Sequence, residues 1–325
     1  MTVAAAESMR GAVVAAPGHI SLIACPKPVP GPREVRVRIE GCGICGSDLP
    51  VWEGRPWFHY PAEPGRPGHE AWGRIDAIGP GVRHPRPGDR VAFLSTHGYA
   101  EYDVAPASDC VPLPRALDDR PFPGEPLACA MNVFRRSRIR ARQTVAVIGV
   151  GFLGALLTHL SARAGARVIA ISRREFALET ARRCGAAATI ALDDPARVAA
   201  EIARLTAGSG CETVIEATGL QAPLDLAGEI AATRARLVIA GYHQDGLRQI
   251  NLQMWNWKGL DVVNAHERDR AVYVGGMRAA LQAALGGRMD PQAFFTHTFP
   301  LDRLQEAFVA LKERPPGFLK ALVVV

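Results

Sequence analysis

Residues 144–174 read "TVAVIGVGFLGALLTHLSARAGARVIAISRR". An apolar strand runs into a glycine turn, an amphipathic helix follows, and a second apolar strand closes the unit, which is the βαβ pattern of a parallel sheet. Gly149, Gly151 and Gly154 form GxGxxG between the first strand and the helix. The physical need for glycine there is a tight turn, a side-chain-free approach for a pyrophosphate, close helix–strand packing and helix N-terminal amides aimed at the anion. A bare GxGxxG is often just a loop. Here the strand before it and the helix after it supply the context of a dinucleotide site. At the tip of the second strand, where an NAD site usually carries an Asp for the ribose hydroxyls, stand Ser172, Arg173 and Arg174. With no carboxylate to repel a 2′-phosphate and guanidinium groups beside it, NADP(H) fits better than NAD(H). The plainer alternative is that both arginines face solvent.

Downstream the alternation continues through "FALETARRCGA", "ATIAL", "VAAEIARLTAG", "ETVIEATG", "LDLAGEIAAT", "ARLVIAG" and "LDVVNA". A last helix, "LDRLQEAFVALKE", and strand, "LKALVVV", close the chain. Upstream, residues 10–112 carry short alternating runs such as "EVRVRIE", "GRIDAIG" and "DRVAFL", punctuated by Pro and Gly, as in a compact β-rich domain. The expected class is α/β, with a β-rich domain and a doubly wound parallel-sheet domain.

Composition narrows the function. At 325 residues and 48% hydrophobic, the chain is long enough for two domains with sizeable cores. No window approaches the roughly 20 apolar residues of a spanning helix, and the N-terminus has no uninterrupted apolar core behind a basic start, so the expected location is cytoplasmic, with no membrane partner. The net charge of +6 comes from dispersed arginines, with Lys27, Lys258, Lys312 and Lys320 the only lysines. That spread argues against nucleic acid, and the run "RRSRIRAR" at 135–142 reads as a charged connector. Seven cysteines at irregular spacing do not form a secreted disulfide framework.

Two of those cysteines, Cys42 and Cys45, lie in "GCGICGSDLP", residues 41–50. No second CxxC or His pair stands at zinc-finger spacing, and the pair does not open a helix after a strand as a thioredoxin-like motif would. Further on, "RPGHEAWG" places His69 and Glu70 on the approach to a strand. A lone His is more often structural than ligating. Cysteine, then His-Glu, then a dinucleotide loop is more informative together than any one part.

Taken together, "GCGICGSDL", "PGHEAWGRIDAIGPGV", "PGDRVA", "GYAEY", "EPLACA", "VIGVGFLG", "VIEATG" and "FPLDRLQEAF" resemble the zinc-dependent medium-chain alcohol and polyol dehydrogenases over nearly the whole chain. The resemblance implies a GroES-like catalytic domain from residues 1–127 and 267–325 around a Rossmann cofactor domain at 128–266. It implies a zinc held by Cys45 and His69, with Glu125 of "GEPLACA" in the third place, where polyol-type members have a carboxylate; Glu70 and Cys129 are the alternatives. Cys42 matches a non-ligating neighbour, and Asp48 would orient the His69 imidazole. Ser47 matches the first hydroxyl of the proton relay. Gly149, Gly151, Gly154, Ser172, Arg173, Arg174, Thr218 and Lys320 fall at cofactor-binding positions. The chain departs from the family's pattern in two ways. "FLSTHGYAEY" lacks the four clustered cysteines of the structural-zinc lobe, so one zinc per subunit is expected, and Pro50 stands where many members carry a relay His. The ribose hydroxyl or His59 would then continue the relay. Trp52, Trp57, Phe58, Tyr60, Trp255 and Trp257 suggest an aromatic-walled substrate site, whereas Asn264 and His266 suit a polyol. The expected function is hydride transfer between a nicotinamide cofactor and a small-molecule alcohol or ketone, in a homodimer or homotetramer. A zinc-free quinone or enoyl reductase and a non-catalytic NADP-binding protein are the rival readings.

Overall fold

The computed structural model describes residues 7–325. It divides into two compact units, one holding the described residues up to Ala128 together with Asp269–Val325, the other Cys129–Arg268.

The first unit opens with the hairpin β1 (Ser8–Ala16) and β2 (His19–Pro26). There follow β3 (Glu34–Gly43), the short helix α1 (Leu49–Glu53), β4 (Glu70–Ile78), β5 (Arg90–Phe93), β6 (Tyr102–Pro106) and β7 (Cys110–Pro112). Alternation in β3 sends Val35, Val37 and Ile39 into a core with Phe93, Tyr99 and Phe308. Pro50 sits in the first turn of α1, where its missing N–H is harmless. The loop at 94–101 has folded around His97. Its Nδ1 lies 3.3 Å from the buried Asp103 and its Nε2 3.3 Å from Glu63. Helix α2 (Gly124–Ser137) leads out of this unit and holds both Glu125 and Cys129.

The second unit carries β8 (Thr144–Ile148), α3 (Phe152–Arg163), β9 (Arg167–Ser172), α4 (Glu175–Arg183), β10 (Ala188–Ala191), α5 (Pro195–Leu205) and β11 (Cys211–Glu216). After these come α6 (Gln221–Ile230), β12 (Ala231–Ile239), α7 (Leu252–Lys258) and β13 (Asp261–Asn264). The six strands form one parallel sheet in the order β10-β9-β8-β11-β12-β13. Period-two alternation sorts its apolar residues between two cores: Ala146, Ile148, Ile169 and Ile171 enter one, Val145, Val147 and Val168 the other. This is the doubly wound Rossmann arrangement, and the strand order reverses between β8 and β11.

The chain then returns to the first unit through α8 (Arg270–Leu285), β14 (His297–Pro300), α9 (Leu304–Glu313) and β15 (Ala321–Val324). There β15 pairs antiparallel with β3, Leu322 opposite Gly43, while on its other side β3 places Gly43 opposite Glu70 of β4. Three strands from three distant parts of the sequence thus meet at Gly43. The fold is a GroES-like β domain joined to a Rossmann domain.

Candidate metal centre and nucleotide loop

Cys45 follows β3, His69 precedes β4 and Glu70 is the first residue of β4, so pairing of these two strands brings the three together. Among the described residues they are the one group of three His, Cys, Asp or Glu side chains whose ligand atoms all lie within 4.8 Å of one another. Glu125 lies outside that group, in the first turn of α2. Cys42, near the end of β3, is outside the group as well, fully buried with its thiol donating to the Gly43 carbonyl, 3.3 Å away. Burial pushes its pKa well up, so it stays a thiol.

The His69 ring is oriented from behind. Its Nδ1 lies 3.0 Å from the Pro67 carbonyl and 3.2 Å from Asp48 Oδ1. A carbonyl only accepts, so Nδ1 carries the proton and the Nε2 lone pair is left for a metal. Asp48 is itself fixed: its Oδ2 accepts from the Cys45 N–H at 3.0 Å and from the Tyr99 hydroxyl at 2.6 Å. One carboxylate therefore holds the backbone of one donor and sets its charge 3.2 Å from the ring of the other. Burial opposes a charge on His69, but Asp48 and Cys45 together outweigh it and hold the imidazole's pKa well above the usual value. This corner favours a cation.

Glu70 and Lys320 form a buried ion pair, 1% and 5% exposed. Lys320 Nζ donates to Glu70 Oε1 at 2.6 Å and to the Ile44 carbonyl at 2.9 Å. Oε2 also lies 2.5 Å from Nζ but accepts no hydrogen bond, so that contact is electrostatic and the oxygen keeps a lone pair to offer. Desolvation works against the ammonium, but Glu70 more than compensates and the Lys320 pKa is raised. The pair explains Gly43: a Cβ there would lie 1.9 Å from Glu70 Oε2. Lys320, expected at a cofactor-binding position, is thus buried and engaged by Glu70 and the Ile44 carbonyl. Its partnership with Glu70, and the part of Tyr99, escaped sequence reasoning; the tyrosine of "GYAEY" was the available signal for the second.

In the second unit two of the three glycines stand where a side chain would not fit. Gly149 has φ +93°, and a Cβ on Gly154 would lie 1.9 Å from the Gly149 carbonyl oxygen. A Cβ on Gly149 would lie 2.4 Å from Thr218 Cγ2, which puts Thr218 directly against the glycine loop. Ser172 is buried at the end of β9, Arg173 is exposed, and Arg174 is the half-buried N-cap residue of α4. Of the remaining candidates, Ser47 is half-buried in the single 3-10 turn after Cys45, and His59 is exposed. The aromatics divide. Trp52 packs on Phe308, ring centroids 6.0 Å apart, and Trp255 is buried in the second unit's core, whereas Trp57 and Trp257 are exposed.

A GroES-like domain with a thiol–imidazole–carboxylate corner, in one chain with a Rossmann unit bearing a glycine loop, has the layout of a two-domain dehydrogenase. Comparison with known proteins agrees. Residues 31–115 match the alcohol dehydrogenase GroES-like domain and residues 152–282 the zinc-binding dehydrogenase domain. Human (Homo sapiens) sorbitol dehydrogenase is 30% identical over 354 aligned positions, which cover 96% of this chain and 95% of that protein. The structure is similar to a putative zinc-binding dehydrogenase from Sinorhizobium meliloti bound to NADP (26% identity, TM-score 0.84, covering 98% of this chain and 100% of that one). It is also similar to 2R,3R-butanediol dehydrogenase from Bacillus subtilis (25% identity, TM-score 0.83, 98% and 100% covered). The chain belongs to the medium-chain dehydrogenase/reductase family, in its zinc-type alcohol and polyol dehydrogenase branch.

Proposed function

We propose that the protein is a zinc-dependent oxidoreductase that transfers a hydride between NADP(H) and a polyol or secondary alcohol, or the matching carbonyl compound. The convergence of Cys45, His69 and Glu70 within 4.8 Å carries this proposal. A zinc-free quinone or enoyl reductase has no use for such a donor set. Zinc bound there would supply a Lewis acid that polarises a carbonyl or lowers the pKa of an alcohol. Cys45 and His69 are two of its donors. Glu70 is the carboxylate within reach in this structure and Glu125 the one the family resemblance names, so metal content of Glu70→Gln and Glu125→Gln identifies the third.

The chain's own residues do the rest. The Pro67 carbonyl keeps the His69 proton on Nδ1, with the Asp48 carboxylate 3.2 Å away to favour positive charge on the ring. Lys320 balances the charge of Glu70, so that the thiolate and this carboxylate do not leave the corner with excess negative charge. Ser47 is the hydroxyl proposed to take the proton that the alcohol loses. In the Rossmann unit Gly149, Gly151 and Gly154 would receive the pyrophosphate, Thr218 would border it, and Ser172 with Arg173 would receive the 2′-phosphate.

The NADP in the Sinorhizobium meliloti relative supports the nucleotide assignment. Sorbitol and butanediol in the names of two relatives support a polyol. So does the burial of Trp52 and Trp255, which removes two rings from the aromatic wall expected around a bulky apolar substrate. Rates with a panel of polyols, secondary alcohols and aromatic alcohols, each with NADP+ and NAD+, test the proposal. Polyols with NADP+ should turn over fastest. Turnover of none of them would favour a non-catalytic nucleotide-binding protein.

A further inference from the structure

Glu216 ends β11, beside β8 at the point where the strand order of the parallel sheet reverses. Its side chain is fully buried, which is costly for a carboxylate unless every lone pair finds a donor. Here Oε1 accepts from the Thr218 N–H at 2.6 Å, the Gly219 N–H at 2.9 Å and the Thr218 hydroxyl. The turn after β11 is thus wound around the carboxylate, and its Thr218 methyl rests against Gly149 of the glycine loop.

Oε2 of Glu216 lies 2.9 Å from His243 Nε2, on the loop that follows β12. The other ring nitrogen, Nδ1, accepts from Arg248 Nε at 2.8 Å. A guanidinium only donates, so Nδ1 is unprotonated and the proton sits on Nε2, where it is donated to Glu216. His243 is therefore a neutral bridge between a buried anion and a cation. Arg248 closes the circuit, donating from Nη2 to the Gly219 carbonyl at 2.7 Å and to Asp245.

We propose that Glu216, His243 and Arg248 form a clasp that sets nucleotide affinity, holding the turn that carries Thr218 in register with the glycine loop, with His243 as its positioning residue. The inference rests on the assignment of the glycine loop as the nucleotide site. None of the three residues is needed for the hydride or proton steps, so the clasp acts on binding and leaves the chemistry alone.

The test uses the zinc-loaded full-length protein. His243→Leu removes both ring hydrogen bonds and leaves Glu216 Oε2 buried without a donor. Loss of a charge-assisted bond should raise the KM and the directly titrated Kd for NADPH about tenfold to a hundredfold, with kcat within about threefold of wild type. A glutamine amide can donate from its NH2 to Glu216 and accept at its oxygen from Arg248, the two roles of the neutral imidazole, so His243→Gln should bring both constants back to within about threefold of wild type. If His243→Leu fails to fold, Arg248→Met carries the same test, since it keeps the His243–Glu216 bond and releases the loop. An unchanged KM in the Leu and Met variants, a loss confined to kcat, or a Gln variant as impaired as the Leu one would each overturn the clasp. Wild-type protein that titrates with neither NADPH nor NADH would overturn the nucleotide assignment and the clasp with it, an outcome distinct from a binding-competent wild type matched by its His243→Leu variant.

Discussion

The two units assemble their chemistry in opposite ways. In the Rossmann unit the glycine loop is local: Gly149, Gly151 and Gly154 sit on one strand–turn–helix and offer backbone rather than side chains. In the β-rich unit the metal corner is drawn from positions 45, 48, 69, 70, 99 and 320 by the register of β3 with β4 and β15, and it presents buried charge. In a corner of buried charges each group removed leaves a partner uncompensated, so single substitutions there should cost the most.

The largest expected difference follows from the donors. His69→Ala and Cys45→Ser should lose the metal and, with it, several kcal/mol of transition-state stabilisation, about a thousandfold or more in kcat/KM. Nucleotide titration should be unchanged in both. Cys42→Ser should keep metal and rate, since that thiol is outside the three-donor group and is already engaged by the Gly43 carbonyl. Metal analysis that found the Cys42 variant empty and the Cys45 variant full would reverse the assignment of the two cysteines.

Next comes the buried pair. Lys320→Met strands Glu70 and should cost about 3–5 kcal/mol of unfolding free energy, most of it recovered by Lys320→Met with Glu70→Gln. Urea unfolding of the single and double variants measures this. Equal stabilities for Lys320→Met and wild type would mean that water reaches the pair and that the corner is no more demanding than the glycine loop.

The nucleotide site should give a smaller and purely selective effect. Ser172→Asp with Arg173→Ala should reverse a wild-type preference for NADP(H) that a charge-assisted contact sets at about tenfold to a hundredfold in kcat/KM. Equal efficiencies with the two nucleotides in wild type would leave Arg173 a solvent-facing residue.

The smallest effect concerns His97. Its hydrogen bond to Asp103, against the opposing effect of burial, raises its pKa above 6.5. A raised histidine pKa stabilises the fold fully below the unfolded value, and that contribution is lost as pH rises through the folded one. The ring is half-buried and partly screened, so the change should be about 1 kcal/mol or less. Unfolding free energies from pH 6 to 9 should decline in wild type and lose this component in His97→Gln; parallel profiles would remove His97 from the account.

The same contrast explains what could be read from the sequence. The Rossmann alternation and the glycine loop are periodic or contiguous, so the residues alone carried them. Cys45, His69 and Glu70 could be named only because their motifs fall in a known order, and the structure then shows how strand pairing unites them. The Glu70–Lys320 pair spans 250 positions and Tyr99–Asp48 spans 51, and neither has a local pattern to betray it. Glu216 and His243 were hidden for a related reason: "VIEATG" and "GYHQDG" look like ordinary strand ends until the turn between Ala217 and Gly219 wraps the carboxylate. The aromatic residues misled in the other direction, because size and apolarity suit a core as well as a substrate wall, and Trp52 and Trp255 went to the core.

Removal and return of the metal tests the central claim most directly. Purified protein should contain about one zinc per chain, chelation should abolish alcohol oxidation while NADPH still titrates with its original Kd, and added zinc should restore the rate in proportion to zinc bound. Full turnover by protein shown to be metal-free would contradict the account.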